Sequence, residues 1–334
     1  MIKYLLGVDG GNTKTDYYLF TTDIKFVDMY RGGTCSHEGL KDGFQGTKRV
    51  ISSVMDEFLK RNNITISDID AACFGLAGCD IPSQHKELVR VIGEIGFKKF
   101  IVVNDSLLGI KAGTTKGYGV CSINGTGTSA SGIDLNGDIL QVGGIGDVCG
   151  DRAGGRYIAR QVVAKAFDSV MRFGKPTSLT KIVMDRLNVT DNKLFMQSIG
   201  ENFYRRDFDY NYFTVSCFKE ANKGDSVAIE ILTTIANDLA KSVSSVIVNL
   251  DFKDDVEVVM AGSVYLKGEC PILNDTFKEL TIKYSNKKCL FNLLSVPPAT
   301  GAIIWAKELH DGAFPSYELR MHIIDIVSKV LERM

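Results

Sequence analysis

Residues 10–15 read Gly-Gly-Asn-Thr-Lys-Thr. Asp9 and the run Tyr4-Leu5-Leu6-Gly7-Val8 precede them, and the strand-forming run Asp16-Tyr17-Tyr18-Leu19-Phe20 follows. A glycine-rich turn between two strands lets backbone N–H groups approach an anion, and successive amides make a nest for phosphate oxygens. Gly10, Gly11 and Asn12 supply the turn, Thr13 and Thr15 add hydroxyl donors, and Lys14 adds a positive charge. Asp9 stands where it can hold Mg²⁺, usually through water. No Gly-Lys-Ser/Thr occurs, which excludes a P-loop, and the glycine spacing does not make a dinucleotide fingerprint. The motif therefore reads as a β-hairpin phosphate loop. An ordinary glycine turn that binds nothing shares its local chemistry.

The unit occurs twice. Val120-Cys121-Ser122-Ile123 is a second β-prone run, followed by Asn124-Gly125-Thr126-Gly127-Thr128-Ser129, a further strand, an Asn136-Gly137 hairpin turn and a third strand ending at Gly143-Gly144. The first copy likewise ends in a third strand at Gly32-Gly33. Two copies of one supersecondary unit predict a duplicated, two-lobed architecture gripping one nucleotide from opposite sides.

These residues, with Gly75-Leu76-Ala77-Gly78-Cys79-Asp80, Val103-Asn104-Asp105-Ser106, Gly143-Gly144-Ile145-Gly146, Gly150-Asp151, Ala261-Gly262-Ser263-Val264 and Pro298-Ala299-Thr300-Gly301-Ala302, run in family order along nearly the whole chain. The chain resembles the superfamily of sugar kinases, actin and heat-shock chaperones, and within it the N-acetylglucosamine kinase branch, the BadF/BadG/BcrA/BcrD ATPase family. The resemblance implies an α/β fold of two ribonuclease-H-like (actin-like ATPase) lobes with ATP between them. The lobes are expected at 1–112 and 113–316, with a hinge near 106–118 and a helical insert at about 177–223 in the second. A final helix at 317–334 is expected to pack back on the first lobe. The implied activity is ATP- and Mg²⁺-dependent phosphorylation of an amino sugar at its 6-hydroxyl, by a homodimer.

Asp105 follows the buried run Phe100-Ile101-Val102-Val103, at the strand end where open α/β sheets place ligands. A carboxylate there can accept the proton of a sugar hydroxyl as it attacks the γ-phosphate. Capping the helix that starts at Ser106 is the competing role for Asn104-Asp105. The resemblance makes Asp105 the catalytic base. It adds Gly125, Thr126, Gly127 and Thr128 as a second phosphate clamp and Gly262-Ser263 against the nucleoside. Ser36, His37, Gly78, Asp80, Asn104, Gly144, Ile145 and Asp151 then line the sugar. Asp151 can alternatively be a first-turn acid of the helix expected at 152–173. Two positions depart from the animal N-acetylglucosamine kinases: Ser36 stands in place of Asn, and Ile145 in place of Trp. A smaller residue 145 removes a stacking wall, which opens the pocket to N-acetylmuramic acid or glucosamine.

The alternative reading is an ATPase activator of a radical acyl-CoA reductase or dehydratase, which holds an iron–sulfur cluster between two subunits. Cys149 lies near one ligand position of such proteins, and the next cysteine is Cys217. The eight cysteines form no C-x-x-C, which removes zinc-knuckle and thioredoxin readings and suits a reducing cytosol. With 39 Lys+Arg against 40 Asp+Glu, no bulk field attracts nucleic acid or an anionic membrane. No apolar run is expected to span a bilayer, and a cytoplasmic enzyme follows. Helices are further predicted at 42–62, at 83–95 with Ser83 as N-cap, at 226–250 and at 298–310.

Overall fold

The computed structural model describes residues 2–203, 205 and 208–333. Tyr204, Arg206 and Asp207 of the expected insert, and Met1 and Met334, lie outside the described residues. In chain order the first half runs β1 (Tyr4–Gly10), β2 (Lys14–Thr21), β3 (Phe26–Gly33), α1 (Gly43–Arg61), β4 (Ile69–Leu76), α2 (Pro82–Gly93), β5 (Phe100–Val103) and α3 (Leu108–Gly113). Then come β6 (Gly119–Asn124), β7 (Thr128–Ile133), β8 (Ile139–Gly143), α4 (Gly154–Met171), α5 (Leu179–Arg186), α6 (Phe195–Phe203), α7 (Tyr210–Asn222) and α8 (Ser226–Asn249). The chain closes with β9 (Val256–Ala261), α9 (Ser263–Lys267), α10 (Pro271–Ser285), β10 (Cys289–Leu293), α11 (Ala299–Asp311) and α12 (Tyr317–Glu332).

The strands form two five-stranded sheets, ordered β3-β2-β1-β4-β5 and β10-β9-β6-β7-β8. Read from its own first strand, each has the order 3-2-1-4-5. In each, the first three strands pair antiparallel and the fourth and fifth run parallel to the first. The duplication seen in the two turns is thus a duplication of whole sheets.

Strand alternation decides what each face meets. In β1, Leu6 and Val8 enter a core with Ile51 and Phe58 of α1 and Leu88 of α2, whereas Leu5 joins Ile303 and Trp305 of α11. A Cβ on Gly7 would lie 2.8 Å from the Ile303 side chain, so α11 needs glycine there to approach. In the same way α3, which follows the first sheet in the chain, packs on the second: a Cβ on Gly109 would meet Cys121 of β6, and one on Gly113 would meet Val259 of β9. The two helices cross at Gly301, whose absent Cβ leaves room for the Leu108 carbonyl. Ile323 and Val327 of α12 bury in this inter-sheet core with α11. α8 has the length and apolar character to cross a membrane, but it buries Ile231, Ile235, Leu239 and Val243 in the second core.

One expected boundary moves. Ser83 is not the N-cap of α2: the helix begins at Pro82 after Ile81. Proline has no N–H to leave unpaired at a first position, and the Gln84 side-chain oxygen accepts the N–H groups of Asp80 and Ile81 at 3.0 and 3.1 Å.

Candidate active site

The first turn is closed by the Gly11 N–H donating to Lys14 O at 2.9 Å and braced by Thr34, whose hydroxyl donates to Gly11 O at 3.0 Å. The strand register sets Asp9 opposite Asp16 and Asp16 opposite Arg31, so three charged residues form one row across β1, β2 and β3. Arg31 grips the buried Asp16 with both arms of its guanidinium, at 2.6 and 2.8 Å. Lys14 Nζ lies 3.6 Å from Asp16 with over half its side chain exposed toward the turn. Burial, with Asp105 and Asp16 nearby, pushes the Asp9 carboxyl up to about 7, against the pull of Lys14 and Arg31. Thr15, expected among the phosphate donors, lies beneath the turn instead: it is fully buried and its hydroxyl accepts the Cys35 N–H at 3.2 Å.

The second turn has no charge of its own. Gly125 N–H donates to Gly127 O at 3.0 Å, and Thr128, expected in the phosphate clamp, donates its hydroxyl to Ile123 O at 2.8 Å to close the hairpin. The first amides of α4 tie it down from behind: Gly154 N–H to Asn124 Oδ1 at 2.9 Å, and Gly155 N–H to Gly125 O at 2.8 Å. The positive end of an 18-residue helix therefore backs the turn. Gly262, at φ +106°, packs so closely that a Cβ would lie 2.5 Å from Asn124 O. Beside the turn opens a cavity of about 520 Å³, lined by Thr126, Arg156, Tyr210, Thr214, Ser263 and Lys267. Tyr210 and Thr214 come from α7 of the insert, and the Arg156 guanidinium sits 5.8 Å from the Tyr210 ring. Their sequence carried no sign of this; only folding brings α7 to the turn.

Asp105 follows β5 in a short 3-10 turn. Burial and then the Asp80 charge push its carboxyl up to about 6, opposed by the Ser106 and Asp105 amides. The capping role belongs to Asn104, whose Oδ1 accepts the Ser106 N–H at 2.9 Å. Its Nδ2 donates to Asp80 Oδ1 at 2.9 Å. Burial raises the Asp80 carboxyl, and a hydrogen bond from Gln141 opposes it. Gln141 Nε2, which the sequence did not single out, donates to Asp80 Oδ1 at 2.6 Å.

Ser36 and His37 face Gly78, where a Cβ would lie 2.9 Å from the imidazole. Ser36 Oγ and His37 Nδ1 are both buried without a hydrogen-bond partner, and the ring stacks on Phe44 at 4.1 Å. Gly144 adjoins Asp80, with room for only a hydrogen on that side, and Ile145 is 57% exposed. Asp151 precedes α4 by three residues, so it is not a first-turn acid. Its carboxylate accepts the N–H groups of Gly144, at 2.9 Å, and Gly146, at 2.6 Å, and shapes the 143–146 loop.

Asp9, Asp16 and Asp105 share this region, and only Asp16 is neutralised by a close ion pair. Both Asp16 oxygens are taken by Arg31, and among the described residues no group of three or more His, Cys, Asp or Glu is placed to hold a metal ion by itself. Cys149 is exposed but Cys217 has no exposed surface and packs within α7, its thiol pushed well up by burial. Cys217 cannot ligate a cluster shared between two subunits without unpacking that helix.

The chain is 28% identical over 316 residues to an N-acetylmuramic acid/N-acetylglucosamine kinase of Clostridium acetobutylicum, covering 92% of this chain and 99% of that protein. It is 24% identical over 320 residues to an N-acetyl-D-glucosamine kinase of Dictyostelium discoideum, covering 91% and 98%. Among solved structures, that of a candidate N-acetylglucosamine kinase from Chromobacterium violaceum superposes with a TM-score of 0.61 at 20% identity, covering 90% and 98% of the two chains. The model of the BadF/BadG/BcrA/BcrD ATPase family matches residues 6–306, and the chain belongs to that family.

Proposed function

We propose that this protein is an amino-sugar kinase that moves the γ-phosphoryl group of ATP to the 6-hydroxyl of an N-acetylated hexosamine, N-acetylglucosamine or N-acetylmuramic acid, with glucosamine a weaker candidate. The observation that carries the reading is Asp105. It is a carboxylate at a parallel-strand end, raised to about 6, one residue beyond the Asn104–Asp80 pair and one before Ser106, whose hydroxyl meets Ser131 of the second sheet. The kinase relatives support the same class.

In this reading Asp105 accepts the proton of the attacking hydroxyl, and a base of about 6 is ionised at neutral pH. Gly10, Gly11, Asn12, Thr13 and Lys14 hold the terminal phosphates, and the amides of Gly125, Thr126 and Gly127 hold them from the other lobe. The cavity beside α7 takes the nucleoside, with Gly262 and Ser263 at its edge. Asp80 and Asn104 bind sugar hydroxyls. The orphaned Ser36 Oγ and His37 Nδ1 then gain a partner in the bound sugar, its amide or a hydroxyl. Asp9 would hold Mg²⁺ through water, and the ion would supply positive charge against the terminal phosphates. A coupled assay for ADP release over a panel of amino sugars tests the class, and phosphorus–proton coupling in the product locates the ester. Turnover of no amino sugar, or an ester on O1, overturns it.

A further inference from the structure

A cross-strand pair of the second sheet reaches the first lobe at the proposed sugar site. Ser131 of β7 stands opposite Gln141 of β8, so both side chains leave the same face. Ser131 Oγ meets Ser106 Oγ at 2.8 Å, in a fully buried contact with the residue after Asp105. Gln141 Nε2 reaches Asp80 Oδ1 at 2.6 Å, and Gly143 O accepts the same amide at 3.1 Å. Asp80 belongs to the first lobe, after β4, and Asn104 holds the same oxygen from the lobe's own side. One carboxylate oxygen is thus pinned by a donor from each lobe, which leaves Oδ2 to turn toward a ligand.

We infer that Gln141 is a positioning residue for the sugar: it fixes the Asp80 carboxylate from the second lobe and makes the sugar contact of the first lobe depend on the relative placement of the two sheets. The inference rests on the amino-sugar kinase reading for its ligand. The isosteric change Gln141→Glu keeps the packing but replaces the donor by an acceptor against a carboxylate. A hydrogen bond to a charged group is lost in Gln141→Ala, so KM for the sugar should rise roughly 10- to 100-fold. KM for ATP and the thermal midpoint should hold, and Gln141→Glu should bind sugar no better than Gln141→Ala. In an Asp80→Ala background, Gln141→Ala should add nothing, because its effect runs through Asp80. A Gln141→Glu enzyme with wild-type KM for sugar, or full additivity with Asp80→Ala, overturns the inference.

If the wild type phosphorylates no amino sugar, the proposed function falls, but the Gln141 contact is still read by amide hydrogen exchange in the ligand-free protein. Faster exchange across residues 77–81 in Gln141→Ala then supports the positioning role, and unchanged exchange overturns it.

Discussion

The two glycine-rich turns sit at the same place in two copies of one sheet, yet they are built from opposite materials. The turn after β1 is charged: Lys14, Asp9 and the Asp16–Arg31 pair surround it. The turn after β6 is neutral, and its backing comes from the amides of α4 and the side chain of Asn124. The elements between the third and fourth strands differ in the same sense. Among the described residues the first sheet has the single α-helix α1 there, and the second has five α-helices, of which α7 walls the cavity beside the second turn. The two copies share a scaffold and differ in their turns; in the proposed function this difference divides the labour, with charge and proton transfer on one side and neutral amides and nucleoside binding on the other.

The division is most severely tested at Asp105. Asp105→Asn should leave nucleotide binding and fold intact and lower kcat by about 10²–10⁴, the usual range for a lost general base. A variant within threefold of wild type in steady-state assays would break the assignment of chemistry to the first lobe.

A smaller effect, of the opposite kind, is expected behind the second turn. Gly154 has φ +83°, and a Cβ would lie 2.7 Å from Thr126 O and 2.8 Å from Gly127. Gly154→Ala must therefore push the turn forward or strain the start of α4. At about 1–3 kcal/mol for such strain, the nucleotide Kd should rise roughly 10- to 100-fold, with sugar affinity preserved. Calorimetry showing an unchanged nucleotide Kd would mean that the second turn holds no phosphate.

Both turns were legible from the sequence because their glycines, hydroxyls and flanking strands are consecutive, and consecutive residues need no tertiary contact to reveal a hairpin. The 3-2-1-4-5 order of each sheet came only from the structure, since the repeat shows three consecutive strands but not where the fourth and fifth are inserted. What stayed hidden depends on chain segments that meet only after folding. Gln141 is 61 residues from Asp80, and Tyr210 approaches the second turn only because α7 packs on α4. Thr15 and Thr128 show the converse: a hydroxyl in a glycine-rich turn looks the same in sequence whether it faces the cleft or bonds to its own hairpin and neighbouring backbone.

The rim of the second lobe gives a third way to sharpen the comparison. Ile145 is exposed beside Gly144, which adjoins Asp80. Ile145→Trp should add a stacking face for a pyranose, about 0.5–1.5 kcal/mol in favour of N-acetylglucosamine. It should also fill space that an O3 lactyl group needs, at about 1–3 kcal/mol. The ratio of kcat/KM for the two sugars should then move by at least about tenfold. An unchanged ratio would show that residue 145 faces away from the sugar.

The smallest effect is on stability, and it separates the charged turn's surroundings from those of the neutral turn by its pH dependence. The folded Asp105 carboxyl is raised to about 6, above the ordinary carboxylate value, because burial disfavours its charge. A group raised in the folded state adds most to stability below its unfolded value, and that contribution is lost as pH rises through the folded one. Wild type therefore carries a half-buried Asp105 carboxylate at pH 8 that is largely protonated near pH 5. Asp105→Asn removes it, so the variant should melt about 2–5 °C above wild type at pH 8, and the gap should shrink as pH falls from about 7 to 5. Gly154→Ala, behind the uncharged turn, should shift the midpoint by the same amount at both pH values. Scanning calorimetry of the three proteins at pH 5 and pH 8 decides it: a gap for Asp105→Asn that does not change with pH would mean that Asp105 bears no buried charge, and the contrast between the two lobes would lose its electrostatic basis.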